Sequence, residues 1–332
     1  MPFSVKVLFT RIIPIFISFG ILFYFCIQNN NFLVLLNVFP KLNFFYFFLS
    51  ILSIIAYWIL DSLVFKELIP DFSRSIFNYI KLTMYGQFYG SITPFSSGAQ
   101  AAQLIILDSA GIDAGRSISI FSQKFFISQL CTVIISSFSI IFRSQKFKYQ
   151  IPGFTFLTLL GLAIQCSGIF AVIVCHLNKK KLMSIIYHFF RFGKKIHLLN
   201  DYEKIYKKLE NKLTFLMEND FSVNCGLLVY FYCFLQNISY CMVSFFISKS
   251  FGCPGFPIMD FIAAQTFINL LSIVNPLPGA AGTSEGSFLL LYKDFFDKNS
   301  LSSSMILFRL INYYLGILIG FFTVVLTKKP KK

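Results

Sequence analysis

The sequence predicts an all-α integral membrane protein with about six spanning helices and two broken, re-entrant hairpins in an inverted-repeat-like order. Three observations lead there. A mean hydropathy of +0.71 goes with only 13% charged residues among 332, too few to cover a soluble core of that size. The apolar residues gather into eight segments, at about 11–27, 42–66, 82–107, 117–142, 154–177, 223–250, 258–292 and 302–327. Two of these contain polar, helix-breaking patches, Thr93-Pro-Phe-Ser-Ser-Gly-Ala-Gln-Ala-Ala-Gln103 and Asn275-Pro-Leu-Pro-Gly-Ala-Ala-Gly-Thr-Ser-Glu285. Lipid offers no partner to a free peptide group, so such patches persist at membrane depth only against protein or a wet cavity.

The six uninterrupted segments are each long enough to cross a bilayer as one helix. Charge then orients them. Lys6 and Arg11 precede or open the first segment, ten Lys or Arg fall in 178–222, and the tail reads Lys328-Lys-Pro-Lys-Lys332. The positive-inside rule places all three in the cytoplasm. Counting crossings from the N-terminus, these assignments hold only if 82–107 and 258–292 each begin and end on one side. The first then opens inward and the second outward, an inverted arrangement. Each is either a re-entrant pair of half helices or two short full spans, and parity does not separate these. Arg143, Lys146 and Lys148 fall on the outer side, against the rule. The chain reads as a single polytopic unit, 1–332. A first half, 1–177, and a second, 223–332, flank a cytoplasmic connector, 178–222, whose apolar residues are spaced among lysines as in amphipathic surface helices.

Other classes fit poorly. The net charge of +15 does not point to nucleic acid, because the basic residues lie in loops between apolar segments, where they orient the protein and touch anionic lipid. The eight cysteines contain no CxxC pair and read as small apolar side chains. His176, His188 and His197 lack metal-ligand spacing. No cleavable signal, catalytic constellation, nucleotide loop, metal or cofactor is expected.

Strongly polar residues inside spans are costly and face the interior of a bundle. Here they are Asp61, Gln100, Gln103, Lys124, Gln129, Glu285 and Arg309. Both patches start with a proline and reach a polar side chain nine residues later, Pro94 to Gln103 and Pro276 to Glu285. Each is followed by a segment bearing a cation, Lys124 and Arg309. With the positive ends of half helices nearby, this predicts a cavity for a phosphate or other anion, such as a charged lipid headgroup. The opposing reading makes Glu285 and Arg309 a structural ion pair and lets Lys124 snorkel. The predicted substrate-binding set is Pro94, Gly98, Gln100, Gln103, Lys124, Pro276, Gly279, Gly282, Glu285 and Arg309.

At these motifs the chain resembles the lysylphosphatidylglycerol synthase transmembrane-region family, also called flippase-like domain proteins. Pro94-Phe-Ser-Ser-Gly-Ala-Gln-Ala-Ala-Gln103 is similar to that family's Pro-Phe-x-x-Gly-Gly-Gln-x-x-Gln. Pro276-Leu-Pro-Gly-Ala-Ala-Gly-Thr-Ser-Glu285 is similar to its Pro-x-Pro-Gly-x-x-Gly-x-x-Glu, and Arg309-Leu-Ile-Asn-Tyr-Tyr314 to its closing Arg-Leu-Ile-x-Tyr-Tyr. Two positions depart: Ala99 replaces a usual glycine, and Gly316 stands where the family often has the proline that would kink the last helix.

The resemblance implies a membrane domain that binds or moves lipids, in some members lysyl-phosphatidylglycerol, in a setting of resistance to cationic peptides. It also implies that aminoacylation belongs to a soluble C-terminal domain using charged tRNA; this chain stops five residues after its last apolar segment. The expected function is therefore a lipid translocase of the bacterial plasma membrane, binding an anionic or aminoacylated headgroup. The alternatives are a phosphatidylglycerol lysyltransferase enzyme or subunit and a non-catalytic scaffold. Expected partners are phospholipid headgroups, anionic lipids, and a separate synthase or a second copy of the chain.

Overall fold

The computed structural model describes residues 39–177, 226–253 and 255–326. The segment 11–27, the connector 178–222 and the basic tail lie outside the described residues. Within them the chain is helical and contains no strand, and five helices are long and apolar enough to cross a membrane. The helices are α1 Phe44–Leu68, α2 Ile76–Ser91, α3 Gly98–Ser109, α4 Ala114–Phe147, α5 Phe154–Leu177, α6 Leu227–Ser250, α7 Ile258–Ser272, α8 Thr283–Leu291, α9 Lys298–Arg309 and α10 Leu315–Leu326. A π turn, Leu310–Tyr314, joins α9 to α10.

Helix starts follow side-chain capping where the sequence provides it. Asn43 Oδ1 accepts the N–H of Phe45 at 3.1 Å ahead of α1, and Asp113 Oδ2 accepts that of Gly115 at 2.6 Å ahead of α4. The outer faces of α1, α4, α5 and α10 leave Phe45, Ile141, Phe156 and Val325 exposed, as lipid-facing surfaces require.

α1 and α6 form the most extensive helix pair. They run antiparallel: Asn43 N–H donates to Ser250 O at 2.9 Å at one end, and Val64 packs with Val229 and Cys233 at the other. Two hairpins fold against this pair. α2 and α3 turn back on each other, with Gly90 facing Ala99 and Gly86 facing Gln103. Their base joins Phe65 and Ile69 at the end of α1 to Ile120 near the start of α4. α7 and α8 form the second hairpin. Its base is an aromatic cluster of Phe261, Tyr292 and Phe295 around Phe147, at the opposite end of α4. The hairpins thus enter from opposite ends of the bundle, and their tips touch.

Lengths show that these are half-depth hairpins rather than pairs of full spans. At about 1.5 Å per residue, the 34 residues of α4 reach about 51 Å, while the 16 of α2 and 15 of α7 reach about 24 and 22 Å. The halves repeat one order: opening span (α1 or α6), hairpin, closing span (α4, or α9 through α10). They interlock reciprocally, since α2 packs on α10 and α7 on α4.

The tips share a strained backbone. Pro94 is followed by Phe95 (φ 52) and Ser96 (φ 55), and Pro278 by Gly279 (φ 61) and Ala280 (φ 49). The structural counterpart of Pro94 is therefore Pro278, two residues beyond the Pro276 that sequence spacing aligned with it. Three of these four left-handed residues carry a Cβ, which is costly and holds only where the surroundings enforce it.

Two expectations are corrected. The outward-falling Arg143 and Lys146 are not a topological anomaly: both pair with Asp260, which is 2% exposed at the start of α7. They neutralise a buried carboxylate rather than orient the chain. Gly316 does not remove the irregularity of the last helix, because the π turn, a common cause of helix distortion, lies just before it. Gly316 and Gly320 instead let α10 approach α2: a Cβ at Gly320 would lie 2.8 Å from Phe88 Cβ and 2.9 Å from Met84 O. Gly320→Leu is expected to destabilise by roughly 1–3 kcal/mol through overpacking. Gly286→Ala, where no atom lies within 4 Å, should stabilise by up to about 1 kcal/mol through helix propensity. Thermal unfolding of the detergent-solubilised variants measures both, and equal melting temperatures would contradict this packing.

Candidate functional site

Polar side chains brace each tip, chief among them Thr93 and Asn275. Thr93 Oγ1 donates to Tyr89 O at 2.8 Å and accepts Gly98 N–H at 2.8 Å. Asn275 donates to Ala281 O at 3.0 Å and Thr283 Oγ1 at 2.8 Å, and accepts Leu277 N–H at 2.9 Å. Backbone freed by the prolines is thereby satisfied locally, as the membrane interior requires.

Two polar cavities of about 470 and 450 Å³ lie beside the tips. They abut, sharing Tyr57, Gln87, Ser91 and Ser96 as a common wall. The first lies along the second tip and the π turn and holds Gly279, Arg309 and Asn312. The second lies between the first hairpin and α4 and holds Asp61, Gln100, Gln103 and Lys124.

Arg309 is 4% exposed. Its Nε lies 2.9 Å from Glu285 Oε1, its Nη1 donates to Gly279 O at 2.9 Å, and its guanidinium stacks 4.6 Å from the Tyr313 ring centre. Glu285 Oε2 accepts Gly282 N–H at 2.7 Å, so the carboxylate caps α8 as well as pairing. Tyr313 OH in turn donates to Ser91 O at 2.8 Å, tying the second tip to the first hairpin. A Cβ at Gly279 would stand 2.4 Å from that ring. Three residues that line the first cavity carry buried polar atoms without a partner: Arg309 Nη2, both amide atoms of Asn312, and Ser272 Oγ. The cluster offers donors at Arg309 Nη2, Asn312 Nδ2 and Ser272 Oγ and an acceptor at Asn312 Oδ1.

Lys124 does not snorkel. Its Nζ lies 2.7 Å from Asp61 Oδ1 and 3.6 Å from the centre of the Phe65 ring. Asp61 also accepts from Gln236 Nε2 and Thr83 Oγ1, each at 2.9 Å. One carboxylate thus joins α1, α2, α4 and α6.

Of the sequence-predicted set, Gln100, Gln103 and Lys124 line the second cavity, and Gly279 and Arg309 the first. Gln103 also donates to Leu82 O at 3.1 Å. Pro94, Gly98, Pro276 and Gly282 belong to the tip backbone, and Glu285 sits wholly buried behind Arg309. Sequence reasoning noted Asp61 without naming its partner, and missed Tyr57, Gln87 and Asn312. Asn312 had a legible signal, an amide one helical turn from Arg309 within an apolar run. Gln87, one of several polar residues in α2, had a weaker one. No group of three metal-ligating side chains converges among the described residues.

The fold and these cavities define a class: a helical membrane protein in which two half-depth hairpins meet tip to tip around buried ion pairs. The chain belongs to the lysylphosphatidylglycerol synthase transmembrane-region family, whose model matches residues 11–320. It is 24% identical over 292 residues to a UPF0104 membrane protein of Archaeoglobus fulgidus, covering 86% of this chain and 87% of that protein. No solved structure matches significantly.

Breaking a buried pair costs more than replacing it. Glu285→Leu alone is expected to destabilise by roughly 3–5 kcal/mol, and Glu285→Leu with Arg309→Met to recover most of that loss. Thermal unfolding in detergent measures this. A double variant no more stable than the single would deny that the pair's burial sets the cost.

Proposed function

We propose that the protein is a lipid translocase of the flippase-like type, which holds an anionic or aminoacylated phospholipid headgroup in the cavity beside Arg309. One observation carries this reading: Arg309 and Asn312, which line a polar cavity, hold a buried guanidinium nitrogen and a buried side-chain amide without partners. An oxyanion would accept from both donors, and Ser272 adds a third. Glu285 holds the other edge of the guanidinium, so a headgroup could bind without breaking the buried pair. Hairpins entering from opposite ends of the bundle are the arrangement that alternating exposure of a midplane site uses.

The proposed setting is the plasma membrane, with both termini and 178–222 cytoplasmic and 251–257 outside. Cysteines placed at 200 and 254 in a cysteine-free background test the orientation. A membrane-impermeant reagent added outside is expected to label 254 only, and labelling of 200 alone would reverse it.

Translocation is tested with reconstituted protein and fluorescent phospholipids of defined headgroup. Arg309→Gln and Gly279→Val should each lose most headgroup-selective movement while still inserting into the membrane. Exchanging the charges, Glu285→Arg with Arg309→Glu, should restore expression but not movement, because the cation then leaves the cavity. Full recovery of movement in the exchanged protein would refute the headgroup site.

A second reading, a phosphatidylglycerol lysyltransferase or its subunit, is favoured by the family's description. Purified protein given lysyl-tRNA and phosphatidylglycerol is expected to form no lysyl-lipid, and robust formation would establish that reading instead.

A further inference from the structure

We infer that the headgroup held in the first cavity is an uncharged, sugar-sized polyol carried on a phosphodiester, rather than an aminoacylated one. The inference rests on the headgroup reading above and names the chemistry of the group beyond the phosphate. Among the described side chains that line this cavity, Arg309 alone carries charge, and Glu285 neutralises it from behind. The rest of the polar lining is amide and hydroxyl. Gln87 comes from α2, Asn237 from α6, Asn269 from α7 and Asn312 from the π turn, so the amides belong to four separate elements.

The unused capacity of these amides is mixed. Half-buried Gln87 makes no side-chain hydrogen bond to a described residue, and its amide is not among the buried polar atoms. Asn269 Oδ1 accepts from Gln265 at 3.3 Å, which leaves its own N–H groups. Asn237 donates to Cys233 O at 2.9 Å and accepts from Thr132 at 3.3 Å, which leaves one N–H and one lone pair. Donors and acceptors thus stand together. An oxyanion only accepts and an ammonium only donates, whereas a hydroxyl does both.

An ammonium would also lack a counter-charge. Glu285 is wholly buried, with one oxygen on Arg309 and the other on Gly282 N–H. In the adjoining cavity Asp61 is held by Lys124, Gln236 and Thr83. An aminoacyl group would bring a cation beside a guanidinium, in a water-poor space with no free carboxylate to meet it. A polyol brings no charge. Tyr57 and Tyr240, whose ring centres lie 5.6 Å apart, add flat apolar surface on which the C–H groups of a sugar-like ring can pack. The volume of about 470 Å³ falls in the range of small-molecule sites and exceeds the need of a bare phosphate.

The test is calorimetric titration of the full chain in phosphatidylcholine nanodiscs, with empty nanodiscs as reference. The probes are dihexanoyl lipids that share one phosphodiester and differ only beyond it: phosphatidylinositol, phosphatidylmethanol and lysyl-phosphatidylglycerol. Wild type is expected to bind the inositol lipid roughly tenfold tighter than the methanol lipid, the worth of one net hydrogen bond or more. The lysyl lipid should bind no tighter than the methanol lipid. Gln87→Leu and Asn269→Leu should each shrink the inositol-to-methanol ratio while leaving phosphatidylmethanol affinity in place, whereas loss of structure would weaken both lipids alike. Equal affinities for those two lipids in wild type, a ratio that neither variant moves, or tightest binding of the lysyl lipid overturns the inference. Glycerophosphoinositol, the same headgroup without acyl chains, assigns the source: affinity equal to the lipid's makes the ligand a soluble polyol phosphodiester, and much weaker affinity makes it a membrane lipid. Arg309→Gln separates the two readings. If it leaves phosphatidylmethanol affinity unchanged, the phosphate is not held at Arg309 and the headgroup reading falls, while the inositol-to-methanol ratio still decides the polyol. Absence of binding by every probe overturns both.

Discussion

A peptide group freed from its helix inside a membrane finds no water to replace the lost hydrogen bond. The architecture follows from the two places where this chain accepts that cost. Each proline-led tip closes on itself through side chains of its own hairpin, Thr93 and Ser97 at the first and Asn275 and Glu285 at the second. Each also borrows from elsewhere in the chain. Arg309 satisfies Gly279 O at the second tip, and Tyr313 satisfies Ser91 O beside the first. Arg309 and Tyr313 sit four residues apart across the π turn, so the irregular turn of the closing span places both where the tips meet. Tips braced this way hold Phe95, Ser96 and Ala280 in left-handed backbone that they would otherwise avoid.

The backbone repeats, but the electrostatics do not. Opening span, hairpin and closing span recur in both halves, and each hairpin leans on the other half's closing span. Lys124 and Arg309 sit on corresponding closing spans. Their partners come from different elements: Asp61 from the opening span and Glu285 from the hairpin itself. The consequence is that only Arg309 of one pair lines its cavity, whereas both Asp61 and Lys124 line the other. That asymmetry distinguishes two cavities of nearly equal size.

Much of this was legible in the sequence. Lipid imposes a fixed length and a severe penalty on charge, so apolar runs report spans directly. The segment predicted at 154–177 is α5 itself, and the interruptions at Pro94 and Pro276–Gly279 are the observed tips. The motifs placed the chain in its family, and parity anticipated hairpins entering from opposite ends.

What the sequence could not decide was which groups meet. Asp61 and Lys124 are 63 residues apart in the chain and 2.7 Å apart in space. Asp260 draws Arg143 and Lys146 from another helix, so cations that looked misplaced by the positive-inside rule are internal counter-charges. Spacing paired Pro94 with Pro276, whereas the backbone pairs it with Pro278, because the left-handed turn rather than the first proline defines the tip. The physical reason is general. Hydropathy and helix-breaking residues act locally and are written in the order of the chain, while the neutralisation of a buried charge depends on distance in three dimensions, which only the packing of helices from both halves determines.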